Sequence, residues 1–403
     1  MYKPDKYTVL DLETSIRAPQ PHFGAAPMWP ANRTIMLGFK NTNDDETTIV
    51  GEGQEAPFIR AISKQQRLLV GHNLPFDLLY LMRKGLHLSN HRLWDTQKFF
   101  YIERGKSGGS TSLENVAKHY GIPFKKDIEI KERFKVGIGA DKIDADLLRE
   151  YLVSDVEVTE QIFLAQVKLC TEKYFTRYVR AMMDSLGPTT QMNFYGIAFD
   201  ARSAKVEMAT KEDQLSVATA EFVEKWTRDY PAAFRTGGAA EFNPASSVQV
   251  GRRLWGSASA GPLRETVTET LDETYKSGAK KGQQKTRKVT REHEVAGLVS
   301  AKTVKLFAQN KWQTDGSAQT IKRLKKHDAE EVSADFVADL EHLRHLNKEI
   351  GTYYKPYINY SIGDTTSDEP SVLYPNFNHC VTATGRLSSS KPNFQNINGK
   401  NTA

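Results

Sequence analysis

Four carboxylates in the first part of the chain, Asp11, Glu13, Asp77 and Asp155, are spaced so that a sheet can gather them at one edge. Asp11 and Glu13 lie two apart on a stretch that reads as a strand, so their side chains share a face. Asp77 stands just inside a helical stretch after a second strand, and Asp155 lies on a later helix. Such a cluster suits hydrolysis of a phosphodiester without a covalent intermediate. Two divalent ions about 4 Å apart serve that reaction, one generating hydroxide from water and the other stabilising the leaving 3′ oxygen. Hard cations such as Mg²⁺ take oxygen ligands, so several carboxylates must converge. Asp and Glu fill 49 of 403 positions, so four fixed positions would all be acidic by chance roughly 2 times in 10⁴. A lone Asp-x-Glu therefore means little, and the phrases around the acids carry the weight.

The elements that must position these acids are legible. Strand-like runs occur at Tyr7–Leu12, Thr34–Phe39, Thr47–Val50, Leu68–Val70 and Arg92–Trp94. Helical stretches occur at Pro75–Arg83, Ser112–Tyr120 and Ala145–Lys168. In the last, Leu148, Tyr151, Leu152, Asp155, Val158 and Ile162 recur near helical spacing, and Tyr151 stands one turn before Asp155. Residues 1–175 are thus expected to be mixed α/β. Beyond them, 201–229 reads as a long exposed helix, and Ala334 to about Tyr353 as another, with Phe336, Leu340, Leu343, Leu346 and Ile350 on one stripe. Gly256–Asp315 reads as irregular around a basic tract, Lys276–Lys288, and strand-and-turn composition returns from about Leu373. No internal repeat is visible.

A length of 403 residues allows two or three domains with ample core. Hydrophobic content of 39% and charged content of 26% are ordinary for a water-soluble chain. The net charge of +6 fits a nucleic-acid partner. Cys170 and Cys380 form no CxxC pair, so neither a disulfide framework nor a zinc motif is expected, which fits a reducing compartment. Tyr7-Thr8-Val9-Leu10 already reads as a strand, so no signal peptide is expected. No apolar run approaches the ~20 residues of a membrane span. The expected location is the cytoplasm, that of the host if the protein is viral, and no membrane partner is expected.

Taken in order, Asp11-Leu12-Glu13-Thr14, Asn73-Leu74-Pro75-Phe76-Asp77 and Tyr151-Leu152-Val153-Ser154-Asp155 resemble the three exonuclease motifs of the DEDD superfamily. Glu150 stands where the histidine subtype keeps its base, so the match is to the tyrosine subtype, found in family A proofreading domains and some ribonucleases. The resemblance implies a ribonuclease H-like mixed sheet and two Mg²⁺ (or Mn²⁺) ions. It implies that Asp11 bridges both ions, that Glu13 and Asp155 complete the first site, and that Asp77 holds the second, partly through water. Tyr151 would orient the attacking water, and Asn73 would help position the strand end. Asp95-Thr96 also resembles a recurrent element of these domains, with Asp95 either supporting the site or simply capping its strand.

The rest of the chain is similar to the next part of family A DNA polymerases. Gln191–Asp200 resembles their passage into the thumb, and Phe242–Gly251 a thumb motif in which Ser246 or Ser247 is placed as a helix N-cap. Leu343–Tyr354, with Arg344 and Lys348 one turn apart, resembles the final thumb helix. Thr384-Gly385-Arg386-Leu387-Ser388-Ser389-Ser390, followed by Pro392-Asn393-Phe394-Gln395-Asn396-Ile397, resembles the opening of the palm. The resemblance implies an α/β exonuclease domain over 1–175 and a mainly helical linker and thumb over 176–372. The basic insertion lies near 256–315, and an incomplete start of a palm fills 373–403. It implies that Arg386 reaches the minor groove near the primer end. Thr384, Ser388, Ser389, Ser390, Asn393 and Gln395 would make backbone or phosphate contacts that position DNA without reading it. The basic tract, with Lys280, Lys281, Lys285 and Arg287, resembles an insertion in the thumbs of some bacteriophage enzymes. It reads as a phosphate grip, as a solvated loop, or as a site for a processivity partner.

These resemblances imply the 3′→5′ exonuclease (proofreading) portion of a family A DNA polymerase, acting on single-stranded 3′ ends and on primer–template duplex. The sequence ends seven residues after Asn396, before any palm aspartate. The expectation is therefore no polymerisation by this chain alone. An incomplete palm would present unpaired strand edges and would dock by strand addition on a C-terminal fragment carrying the rest of palm and fingers. Two alternatives stand beside this: a catalytically idle DNA-binding remnant, and a stand-alone DEDD ribonuclease, which accounts for 1–175 but not for the terminal phrase.

Overall fold

The computed structural model describes residues 6–18, 24–105, 108–124, 128–172, 176–229, 243–259, 264–274, 281–327, 331–364 and 369–397. The chain divides into two compact units, 1–202 with 356–403, and 203–355.

The first unit is built on a five-stranded sheet of β1 (Tyr7–Thr14), β2 (Thr34–Asn41), β3 (Thr48–Gly51), β4 (Leu68–Gly71) and β5 (Arg92–Asp95), in the order β3-β2-β1-β4-β5. β1 pairs antiparallel with β2 and parallel with β4, so the sheet is mixed and β1 is central. Its helices are α1 (Ala56–Ser63), α2 (Leu74–Arg83), α3 (Thr96–Arg104), α4 (Leu113–His119), α5 (Ile128–Lys135), α6 (Ala145–Glu172), α7 (Thr176–Asp184) and α8 (Leu186–Tyr195). Val9, Leu37, Leu69 and Val70 are fully buried in the sheet, and Leu148, Leu152, Val156 and Phe163 of α6 close over it.

One contact governs how closely α6 lies on the sheet. Gly38, paired with Asp11 in the β1–β2 register, faces α6. A Cβ built there would lie 2.9 Å from Leu152 Cγ and 3.0 Å from Val156 Cγ2. The missing side chain lets the helix settle directly against the strand beside Asp11.

The expected strands and helices of residues 1–175 are present, each within a few residues of its expected ends. The C-terminal segment forms two small ladders. β10 (Ser371–Leu373) lies between β6 (Ile197–Phe199) and β9 (Ser361–Ile362), and β11 (Asn376–Asn378) pairs with β12 (Ser388–Ser390). β11 and β12 pair only with each other among the described residues, so each keeps one open edge.

The second unit comprises α9 (Ala201–Asp229), α10 (Ser247–Trp255), a hairpin of β7 (Arg264–Thr274) and β8 (Gln284–Glu294), α11 (Ala301–Gln309), α12 (Ala318–His327) and α13 (Glu331–Lys348). Phe222, Trp226, Leu254, Trp255, Phe307, Phe336 and Leu340 form its core. Ser246 caps α10 as expected, its hydroxyl accepting from the Gln249 amide at 3.3 Å. The stripe Phe336, Leu340, Leu343, Leu346 and Ile350 is buried. The helix that carries it changes to π-helical winding over Glu349–Tyr354 before α14 (Lys355–Tyr360).

The irregular segment expected over Gly256–Asp315 is corrected by the β7–β8 hairpin and α11. The hairpin runs eleven residues in unbroken antiparallel register, with Arg264 opposite Glu294 and Glu273 opposite Lys285. The Lys285–Glu273 pair across the strands, at 3.3 Å, and the threonine content of the sequence support it. Neither produces the apolar alternation by which strands are usually read. No described helix is long and apolar enough to cross a membrane.

Candidate active site

The carboxylates come together around the end of β1. Glu13, Asp77 and Asp155 are buried and Asp11 is half-buried. Asp77 reaches β1 through its Oδ1, which accepts the Leu12 amide at 3.1 Å. Burial, then the charge of Asp11, raises the Asp77 carboxyl well above the usual range. Like charges crowded in a poorly solvated place resist ionisation together.

On α6 the Tyr151 hydroxyl hydrogen-bonds to Asp155, one turn on. Burial, then the charges of Asp155, Glu13 and Asp11, holds this phenol far above its ordinary range, so Tyr151 remains a neutral donor. Its ring packs edge-on against Phe134 at 6.2 Å. A negative field built by three carboxylates around one hydroxyl is the electrostatic signature of the cluster.

Asn73 precedes α2 with φ 61° and ψ 40°, the left-handed region that non-glycine residues seldom use. Its amide donates to Asp95 Oδ1 at 3.1 Å. That oxygen also accepts the amides of Gln97 and Lys98 at 2.9 and 3.2 Å, so Asp95 caps α3 and pins the Asn73 turn at once. A cleft of about 500 Å³ opens beside this turn, lined by Asn73, Phe76, Asp95, Tyr374, Phe377 and His379 among others. None of the four carboxylates lines it.

As their side chains stand, no group of three or more His, Cys, Asp or Glu among the described residues is arranged to hold a metal ion. The donor set still fits a hard divalent cation. The acids are oxygen ligands, and the mutual repulsion that lifts Asp77 is what a cation between them would relieve.

The DNA-contact residues expected in the C-terminal segment lie on β12 and in the turns that flank it. Thr384, Arg386, Asn393 and Gln395 are exposed. Ser389 is buried and donates to Asn393 Oδ1 at 3.1 Å, and that oxygen also accepts the Gln395 amide at 3.0 Å. Those two side chains brace the turn after β12. Ser388 pairs with Asn378 in the β11–β12 ladder. In the basic tract, Lys281 is exposed and Lys285 pairs with Glu273 at 3.3 Å. Lys280, the side chain of Arg287, and the last residues 398–403 lie outside the described residues. Arg344 donates to the carbonyls of Pro244 and Gly316 at 2.9 and 2.6 Å and so ties loops of its own unit.

Two features escaped the sequence. Gly38 announces itself by no motif, and only its register opposite Asp11 gives it meaning. Lys98 and His379, joined at 2.9 Å, stand 281 residues apart.

No curated protein matches the chain. Among solved structures, the fold is similar to the POL domain of Pol1 from M. smegmatis in complex with DNA primer-template and dNTP. The TM-score is 0.59 at 14% identity, covering 98% of this chain and 52% of that one. The chain thus spans about half the length of that structure. Residues 264–403 match the family model for DNA polymerase family A.

Proposed function

We propose that this chain is the 3′→5′ exonuclease portion of a family A DNA polymerase, removing nucleotides from the 3′ end of DNA during replication. The observation that carries the reading is Tyr151 and Asp155 on α6, held over Asp11 and Glu13 on β1 with Asp77 against the same strand end. The sheet order and the family A match over residues 264–403 support it.

Asp11, Glu13 and Asp155 would hold one divalent ion, and Asp11 with Asp77 a second. The chemistry such ions supply when bound is activation of water and neutralisation of charge on the leaving oxygen. In the reaction, a water oxygen forms a bond to the 3′-terminal phosphorus and the P–O3′ bond breaks. The shortened strand keeps the O3′ and gains a proton, and a nucleoside 5′-monophosphate leaves.

The chain's own residues position these atoms. Tyr151, kept protonated by the surrounding carboxylates, donates a hydrogen bond and so orients without serving as a base. Gly38 sets how close Tyr151 and Asp155 come to β1. The Asn73 turn and the aromatic and amide side chains of the neighbouring cleft suit an unpaired strand, whose bases stack and hydrogen-bond in this way. The neighbouring structure is described with primer-template, and by extension Arg386 and the exposed polar residues near it would meet duplex here.

The test is a 5′-labelled DNA single strand with Mg²⁺, an RNA of the same sequence, and the Asp11→Ala/Glu13→Ala variant. Shortening of the DNA that the variant loses supports the reading. DNA bound but left intact would reduce the chain to a binding remnant, and RNA cut faster than DNA would make it a ribonuclease.

A further inference from the structure

We propose that Lys98 is a positioning residue for the carboxylate site, through which the segment 376–397 holds the turn that presents Asp77. The inference rests on the exonuclease reading for its consequence in catalysis, and on geometry alone for the linkage.

Lys98 is 1% exposed, on α3. Its ammonium lies 2.9 Å from Ser185 Oγ and 2.9 Å from His379 Nδ1. The surrounding bonds fix the direction of each. The Ser185 hydroxyl donates to the Met182 carbonyl at 2.7 Å, so it accepts from Lys98. Thr189 Oγ1 lies 2.8 Å from His379 Nε2, and its own hydrogen goes to the Ser185 or Leu186 carbonyl. Nε2 therefore carries the ring proton, and Nδ1 is a bare acceptor facing the ammonium.

A buried lysine is costly, and burial pushes this one down to about 8. Asp95, 3% exposed and three residues earlier on the chain, accepts the Lys98 backbone amide at 3.2 Å on the same oxygen that takes the Asn73 amide. Burial pushes the Asp95 carboxyl up, and the three amides it accepts, together with the Lys98 charge, pull it back. Without the Lys98 ammonium the first turn of α3 loses its ties to Ser185 and His379, and the Asp95 oxygen that caps that turn holds the Asn73 amide less firmly. Asn73 then loses what holds it in the left-handed region, four residues before Asp77. Lys98 also fastens the segment to α3, beside a second bond from the Tyr101 hydroxyl to the Thr382 carbonyl.

The experiment uses the full chain and three variants. Lys98→Met and His379→Leu cut the link, whereas His379→Asn keeps an acceptor oxygen near Nδ1. Amide hydrogen exchange over residues 73–77, referenced to 34–41, reads the turn without any need for activity. Expected is roughly ten-fold faster exchange at 73–77 in Lys98→Met and His379→Leu, and near wild-type exchange in His379→Asn. Exonuclease kcat should fall about ten-fold with KM little changed, because the turn positions a catalytic group. Unchanged exchange at 73–77 in both cutting variants would overturn the proposal and reduce the contact to local glue. A wild-type chain without exonuclease activity would defeat the functional reading, while the exchange arm would still decide the linkage.

Discussion

Adding one methyl group at Gly38 should separate the two halves of the site. A Cβ there meets Leu152 Cγ at 2.9 Å, Val156 Cγ2 at 3.0 Å and Ile49 Cδ1 at 3.3 Å. Leu152 Cγ is a branch point next to the backbone, and the valine is stiff at χ1, so α6 itself must lift by a few tenths of an ångström. Overpacking of this kind costs roughly 1–3 kcal/mol, offset by about 0.5–1 kcal/mol because alanine loses less backbone entropy than glycine on folding. The net loss of about 1–2 kcal/mol lowers Tm by roughly 2–8 °C. The larger effect falls on rate. Tyr151 and Asp155 flank Leu152 on the helix, and a misplacement approaching 1 Å costs about 10²-fold. Gly38→Ala should therefore lower exonuclease kcat by about 10- to 100-fold with KM near wild type, read by steady-state cleavage of a labelled single strand. Adding Leu152→Ala should relieve the clash, so the two changes couple favourably in a double-mutant cycle. Unchanged kcat, or strictly additive effects in both Tm and rate, would refute the claim that Gly38 sets the approach of α6.

Tyr151→Phe keeps the ring and removes the hydroxyl from Asp155; kcat should fall about 10- to 100-fold, with thermal unfolding unchanged. Asp77→Asn should abolish cleavage yet stabilise the metal-free protein at neutral pH. The folded carboxyl is raised by burial and by Asp11, so the fold holds a proton that the unfolded chain releases, and stability falls as pH rises from the usual carboxylate range through the folded value. Urea unfolding of wild type and variant across pH in a chelator checks that slope. His379 runs the other way: burial and Lys98 push its imidazole down to about 4. The unfolded chain takes up a proton the fold refuses, and ~3 kcal/mol is lost as pH drops from 6.5 to 4. His379→Leu should flatten that stretch of the pH–stability curve. Lys285→Ala breaks an exposed pair with Glu273 and should change stability by less than ~1 kcal/mol. If the hairpin grips duplex, the same change weakens binding and reduces the salt slope by about one.

Much of the first unit was legible because its signals are local. Asp11 and Glu13 share a face by strand alternation, and Tyr151 and Asp155 by helical spacing, so neither needs a distant partner to be read. α9 was likewise visible over Ala201–Asp229 from composition alone. The β7–β8 hairpin was not, because Thr, Glu and Lys make ordinary solvated ribbon and its order comes from pairing across the turn. The π-helical winding at Glu349–Tyr354 keeps the buried stripe of its helix and so leaves no trace in periodicity. At the site, the acids were legible and their support was not. Asp95 read either as a support of the site or as a strand cap, and its hold on Asn73 needs the β4–β5 pairing of Gly71 with Asp95 that places the two side by side. Lys98 reads as an ordinary helix lysine until the fold buries it against His379.

The most direct test of the central claim follows the first product released from a DNA strand labelled on its 3′-terminal nucleotide. Wild-type chain, Asp11→Ala/Glu13→Ala and Tyr151→Phe would be compared with Mg²⁺ in single turnover. The carboxylate cluster predicts a labelled nucleoside 5′-monophosphate as first product, absent with the double variant and slowed with Tyr151→Phe. Label released equally by the double variant, or released first within an oligonucleotide, would contradict a 3′→5′ exonuclease built on these residues.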